Sequence, residues 1–327
     1  MIGKIFYFVS SLVVLIGGFV FLSPSLLTPD LIYPERIDSV YIAFHSDMVT
    51  NPENILMFNP SAVDLKYSDI QVKTIEGFPL NGWYVYAADT PANTILILHN
   101  INESKILYLD HLKQFHDRGF NVCVFDQRAH GNSGGSEFSP GLPAVDDVKR
   151  MIDSILDKKG TKNLVIMGAG IGAAIALQAA VYDNRCSALV LQSPFNTYET
   201  YIDKYASLKW GIMKDLWYPI FKRRTEALLQ YPLKELDLRQ IAAYTKIPSL
   251  FIIASEDTRV FTSETLQVFD ASASEKKELF LVRNATESTI AKSGGEAYYN
   301  RITAFLLSIL PKEQTISRYK KLALNDH

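Results

Sequence analysis

A chain of 327 residues, 48% hydrophobic and 21% charged, can bury a sizeable core and is not a disordered protein. Its formal net charge of −2, with no long basic stripe, argues against nucleic acid as a partner. Two cysteines, Cys123 and Cys186, make neither a disulfide framework nor a zinc site, and no cofactor or metal is implied.

Ile5 to Leu22 is uncharged and almost wholly apolar. At about 1.5 Å per helical residue it spans about 27 Å, close to the roughly 30 Å core of a bilayer. It is longer than the apolar segment of a secretory signal, and Phe21-Leu22-Ser23-Pro24-Ser25 is a poor cleavage context. Residues 1–22 therefore read as an uncleaved single-pass membrane anchor. A buried soluble helix is the alternative, and no polar face supports it. Lys4 and the amino terminus are the only positive charges before the run, which points to an N-terminus in the cytoplasm and a domain on the extracytoplasmic side.

Residues 23–65 carry Pro24, Pro29, Pro34, Pro52 and Pro60 and no sustained period, so they read as a linker and surface wrap. Tyr67 to Thr74 alternates as a half-buried strand would, and Leu80 to Tyr86 reads as a second strand after a turn at Gly77. Short apolar runs then alternate with helical patterns. Strands are expected at 94–99, 122–125, 164–167, 188–191, 249–253 and 278–282. Helices are expected at 108–118, 143–158, 171–182 and 297–310. Buried strands alternating with helices imply an α/β domain with a mostly parallel sheet covered on both faces. Residues 196–247 interrupt the alternation with Tyr198, Tyr201, Tyr205, Trp210, Trp217, Tyr218 and Phe221 among charges, and read as an inserted helical cap. Its Lys222-Arg223-Arg224 run is either a solvated basic face or a membrane-surface contact. Residues 311–327 read as a polar tail.

The segment Val165-Ile166-Met167-Gly168-Ala169-Gly170-Ile171-Gly172-Ala173-Ala174 passes from an apolar strand into a helix of small residues. Gly168 and Gly172 flank Gly170 at the spacing of Gly-x-Ser-x-Gly, the strand–turn–helix that carries a nucleophilic serine. Three further stretches fall in a matching order. They are Phe125-Asp126-Gln127-Arg128-Ala129-His130-Gly131-Asn132-Ser133-Gly134-Gly135, Gln192-Ser193-Pro194-Phe195, and Pro248-Ser249-Leu250-Phe251-Ile252-Ile253-Ala254-Ser255-Glu256-Asp257. With the opening hairpin Gly77-Phe78-Pro79-Leu80-Asn81-Gly82-Trp83-Tyr84, they make residues 66–310 resemble the α/β-hydrolase superfamily, in particular its membrane-anchored, serine-aminopeptidase-like branch.

The resemblance implies an α/β-hydrolase fold with a small helical cap and, position by position, an eroded triad. Gly170 stands where the nucleophile belongs, Asp257 where the acid belongs, and Glu287, in Arg283-Asn284-Ala285-Thr286-Glu287-Ser288, best matches the base. No histidine occurs between residues 131 and 326. The oxyanion loop reads His99-Asn100-Ile101-Asn102 in place of a His-Gly-x-Gly type sequence, and Ile171 follows the nucleophile position. Hydrolysis by this route needs an attacking oxygen and an imidazole near pKa 7. Gly170 has no oxygen, and an ordinary glutamate, near 4.3, is a weak base at neutral pH.

Ser133, Ser193 and Ser255 lie in no activating turn, and His99 and His130 fall in loops that buttress the elbow. Asp257 is read as a turn-former, with Arg259 as its expected partner; Asp257 with Glu287 as a metal or acid–base pair is the lesser alternative, without a nearby His or Cys ligand. The sequence thus describes a membrane-anchored hydrolase-like protein without hydrolytic activity, acting through a protein partner or a small apolar ligand in the old cleft. The alternatives are an active ester or peptide hydrolase with relocated catalytic groups, and a structural membrane-side module.

Overall fold

The computed structural model describes residues 30–45, 58–89, 91–158 and 160–310, together with Gly3, Tyr7, Ser10–Val14 and Gly17. Most of the anchor expected over 5–22, and all of the tail 311–327, lie outside the described residues. Ser10–Val14 are helical, with Leu12, Val13 and Val14 exposed. Among the described residues no helix is long and apolar enough to cross a membrane.

Eight strands form one sheet in the order β1-β2-β4-β3-β5-β6-β7-β8. They are β1 (Tyr67–Lys73), β2 (Pro79–Val85), β3 (Ala92–Leu98), β4 (Asn121–Phe125), β5 (Thr161–Ala169), β6 (Cys186–Gln192), β7 (Ser249–Ala254) and β8 (Lys277–Val282). β1 and β2 pair antiparallel, β2 meets β4 antiparallel, and every later pairing is parallel. The interior strands are apolar on both faces because both faces are covered: every residue of β3, Ala-Asn-Thr-Ile-Leu-Ile-Leu, is buried.

The helices are α1 (Ser39–His45), α2 (Leu109–Asp117), α3 (Leu142–Leu156), α4 (Ile171–Tyr182), α5 (Tyr198–Trp210), α6 (Lys214–Leu229), α7 (Leu238–Ala242), α8 (Thr262–Ala271) and α9 (Ile290–Ile309). α3 buries Val145, Val148, Met151, Ile152 and Ile155, the three-and-four spacing of one helix face, in a core shared with α4 and the cap. On the other side of the sheet Leu112 and Phe115 of α2 pack in one core with Tyr298, Ile302 and Phe305 of α9. The cap segment, α5 to α7, lies between β6 and β7 in the chain.

Two details differ from the sequence reading. α8 was not anticipated. α9 starts at Ile290 rather than 297, and a kink at Gly295 (φ 49°) interrupts it. The strand of Cys186 lies three places from that of Cys123, roughly 14 Å at strand spacing. Both are free, buried thiols.

The wrap has a defined course in its described part. Leu31 and Ile32 are 2% exposed, and Ile32 O accepts a hydrogen bond from Phe138 N (2.7 Å). Arg36 donates to the carbonyls of Gly131 (3.0 Å), Ser133 (2.6 Å) and Gly135 (2.5 Å). Residues 30–38 thus lie as a strap across the loops at the carboxyl ends of the strands.

Candidate active site

The elbow forms where β5 runs into α4. Gly170 holds φ 53° and ψ −113°, a conformation that glycine takes without a Cβ penalty. Its N–H donates to Gln192 O (2.9 Å), and its carbonyl accepts from Ala173 and Ala174. The flanking glycines are there for closeness. A Cβ on Gly168 would overlap the backbone of Gly172, and one on Gly172 would overlap the Leu98 and His99 carbonyls. The helix start is therefore pressed onto β5 and onto the end of β3.

A Cβ built on Gly170 would overlap Glu287 Oε1 and Asn100 Oδ1 and lie 2.7 Å from Asn100 Cγ. Glu287 comes from the loop after β8, Asn100 from the loop after β3, and Asp257 from the loop after β7. The Asp257 and Glu287 loops are stitched together by Ser255 N to Val282 O (3.0 Å) and Glu256 N to Ala285 O (2.8 Å). Gln192 joins elbow to loop: its Nε2 donates to Glu287 O (3.2 Å), and its Oε1 accepts from Tyr298 OH (2.9 Å).

Asn100 Oδ1 accepts the N–H of Ile171 (3.1 Å). Its own N–H donates to Glu103 Oε2 (3.0 Å), which also accepts from Tyr108 OH (2.7 Å). Asp257 Oδ1 accepts the backbone N–H of Arg259 (2.8 Å) and Val260 (3.0 Å), so the expected partner is the main chain of Arg259. Asp257 Oδ2 and Glu287 Oε1 are buried with no hydrogen-bond partner among the described residues.

Burial pushes the Glu287 carboxyl up to about 8, helped by the negative fields of Asp257 and Glu103 and opposed by Arg259 and the Asn100 amide. At pH 7 Glu287 is largely the neutral acid. Burial raises Glu103 as well.

The two histidines nearest the elbow are fully engaged. His99 Nε2 accepts from Gln127 N (2.9 Å), and its Nδ1 donates to Asn100 O (2.7 Å). His130 Nε2 accepts from Asn102 N (3.3 Å), and its Nδ1 donates to Arg128 O (2.8 Å). Burial lowers them to about 4 and about 3. Ser133 Oγ donates to Asp126 O (2.6 Å) and accepts from Asn81 N (2.9 Å), and Ser255 Oγ accepts from Asn284 N (2.9 Å). Ser193 Oγ is buried and makes no hydrogen bond. No described serine is paired with an imidazole.

A cavity of about 30 Å³ lies between Leu31 of the strap, Ile101 and Asn102, Tyr201, Tyr205 and Leu208 of α5, and Arg259. Small-molecule sites take roughly 300–1,000 Å³. Among the described residues no group of His, Cys, Asp and Glu is arranged to hold a metal ion.

Residues 89–227 match the family model of the serine aminopeptidases, S33. The chain is 24% identical over 238 residues to the uncharacterized protein YqkD of Bacillus subtilis, covering 70% of this chain and 76% of that one. The esterase Pf2001 of Pyrococcus furiosus superposes with a TM-score of 0.68 at 20% identity, over 86% of this chain and 99% of that one. The α/β hydrolase GrgF of Penicillium superposes with a TM-score of 0.61 at 18% identity, over 75% and 99%. The chain has the α/β-hydrolase fold.

In an α/β-hydrolase the residue after the nucleophile, together with an N–H from the loop after the third strand, holds the oxyanion. Here the Ile171 N–H is taken by the Asn100 side chain and the Asn100 N–H by Glu103. Glu287 meets Gly170 and Asp257 acts on Glu287 through its charge, and the Glu287 carboxyl stands in the volume a side chain at 170 would need. Glu103, Gln192 and Leu31 belong to this site and were not singled out in the sequence. Glu103 has a readable signal, four residues after His99 in the oxyanion loop; Leu31 lies in an aperiodic segment and has none.

Proposed function

We propose that this chain is a membrane-anchored α/β-hydrolase-fold protein that does not hydrolyse and acts by binding a partner through its outer surface. The single observation behind this reading is the joint occupation of the nucleophile and oxyanion positions by Glu287 and Asn100. Acyl transfer needs a nucleophile and free oxyanion donors; Gly170 carries no side-chain oxygen, and the Ile171 and Asn100 N–H groups are already hydrogen-bonded. The apolar run 5–22 supports the anchor, and the positive charge before it supports an extracytoplasmic domain.

The test is the purified full chain against a panel of short-chain nitrophenyl esters and peptide amides. Turnover is expected to match a buffer blank carrying heat-denatured protein. Saturable hydrolysis that follows the chain through every purification step would favour an active hydrolase with relocated groups.

A further inference from the structure

The cap ends in an apolar tip with no cover. α5 and α6 pack together as a hairpin whose inner face holds Tyr205, Trp210 and Phe221, with the Trp210 and Phe221 rings 4.9 Å apart. The turn between them, Gly211–Met213, is exposed throughout. Ile212 at its centre is 100% exposed, and Leu208, Leu216 and Ile220, at four-residue spacing on either side, are 60, 59 and 44% exposed. These exposed apolar side chains lie in the apex and in the helix ends on either side of it. Basic residues flank it: Lys209 is tied to Asp30, Lys214 to Asp203 and Lys222 to Glu199, while Arg223 and Arg224 make no ion pair among the described residues. Residues 198–229 hold six basic and four acidic residues (Glu199, Asp203, Asp215 and Glu226), in a chain whose net charge is −2.

The strap fixes where this apex sits. Asp30 Oδ2 accepts from Lys209 Nζ (2.9 Å) and from Tyr205 OH, both in the last two turns of α5 next to the apex. The eight Cα-to-Cα steps from Leu22, the end of the apolar run, to Asp30 cross seven residues. Fully extended they reach about 28 Å. The apex is therefore held within one short tether of the point where the anchor leaves the bilayer.

We propose that the apolar apex of the cap, Leu208, Ile212, Met213 and Leu216, docks into the interface of an anionic bilayer, with Arg223 and Arg224 against its headgroups. This rests on the anchor reading above. An exposed apolar segment with basic flanks enters the boundary between headgroups and acyl chains by roughly 5–10 Å. The anchor supplies a high local concentration, so weak intrinsic affinity is enough. The domain would then stand on its cap, with the strap and the old cleft facing the membrane.

The experiment uses the full chain in vesicles of phosphatidylcholine with phosphatidylserine. Ile212→Cys is labelled with an environment-sensitive fluorophore, and Tyr244→Cys, at a position 77% exposed, serves as the reference. The native thiols are buried and do not compete. Lipid-borne nitroxides placed just below the headgroups are expected to quench the label at 212 roughly twofold or more over that at 244. Arg223→Glu with Arg224→Glu is expected to remove most of that difference. Equal quenching at both positions, with the chain still resistant to alkaline extraction, overturns the docking and leaves the anchor standing. A chain stripped from vesicles by alkaline extraction overturns both. A label at 212 that shifts to the blue in proportion to protein density, without nitroxide quenching, assigns the apex to a second copy of the chain and also overturns the docking.

Discussion

Gly170→Ser is expected to lower the melting temperature by roughly 5–10 °C and to create no esterase. A side chain at φ 53°, ψ −113° costs about 1–3 kcal/mol in backbone strain. Its Cβ and Oγ must then displace the Glu287 carboxyl and the Asn100 amide, an overpacking cost of about 1–3 kcal/mol more. Restoring the hydroxyl also restores neither a base nor the Ile171 N–H, which Asn100 still holds. Because the clash is with a named partner, the effect of Gly170→Ser should shrink when Glu287→Ala is present. The double variant should be more stable than the sum of the single effects predicts, by about 1 kcal/mol or more. Thermal and denaturant unfolding of the four proteins read this directly. Additive effects, or a Gly170→Ser variant that melts at or above the parent, would show that the two residues do not share this space.

Glu287→Gln is expected to stabilise the protein in alkaline solution and to leave it little changed near pH 5. The Glu287 pKa is near 4.5 when unfolded and about 8 when folded. Between those values the folded state carries a proton that the unfolded state has lost. Stability contributed by this group therefore falls as pH rises through the window, by about 1.4 kcal/mol per pH unit, and levels off above about 8. Glutamine keeps the shape and removes the titration, so the stability difference between variant and parent should open across that window. Burial sets most of the upper edge, with Asp257 and Glu103 pushing the carboxyl further up and Arg259 and Asn100 pulling it down. Asp257→Asn keeps the oxygen that accepts from Arg259 and Val260 and should move that edge to lower pH. His99 and His130 act with opposite sign: their depressed pKa values remove stability as pH falls below about 6.5. They are the same in both proteins and cancel in the difference. A pH-independent difference between parent and Glu287→Gln would mean that Glu287 is ionised in the folded protein.

The strand and helix order was legible because buried parallel strands and amphipathic helices carry strong periods, as in β3 and α3. The elbow was legible because its glycines are spaced by close backbone contact, which tolerates no other residue. Glu287 was reached only through the absence of histidine from the loop after β8, not from any signal of its own. What fills the site was not legible. Asn100 meets Ile171 across 71 residues of sequence, and the strap places Leu31 in the cleft from a segment with no period at all. α8 escaped because its buried face is carried by Glu264, Thr265 and Val268, too little apolar surface to mark a helix. The true start of α9 was hidden by Gly294-Gly295, which read as a break and form a kink within the helix.

The occupied elbow is tested most directly by incubating the full chain with a fluorophosphonate and measuring its intact mass. With Glu287 and Asn100 in the places of nucleophile and oxyanion, the mass should be unchanged, while a serine esterase treated alongside gains one adduct. A stoichiometric adduct, mapped to any serine of this chain and prevented by prior denaturation, would contradict it.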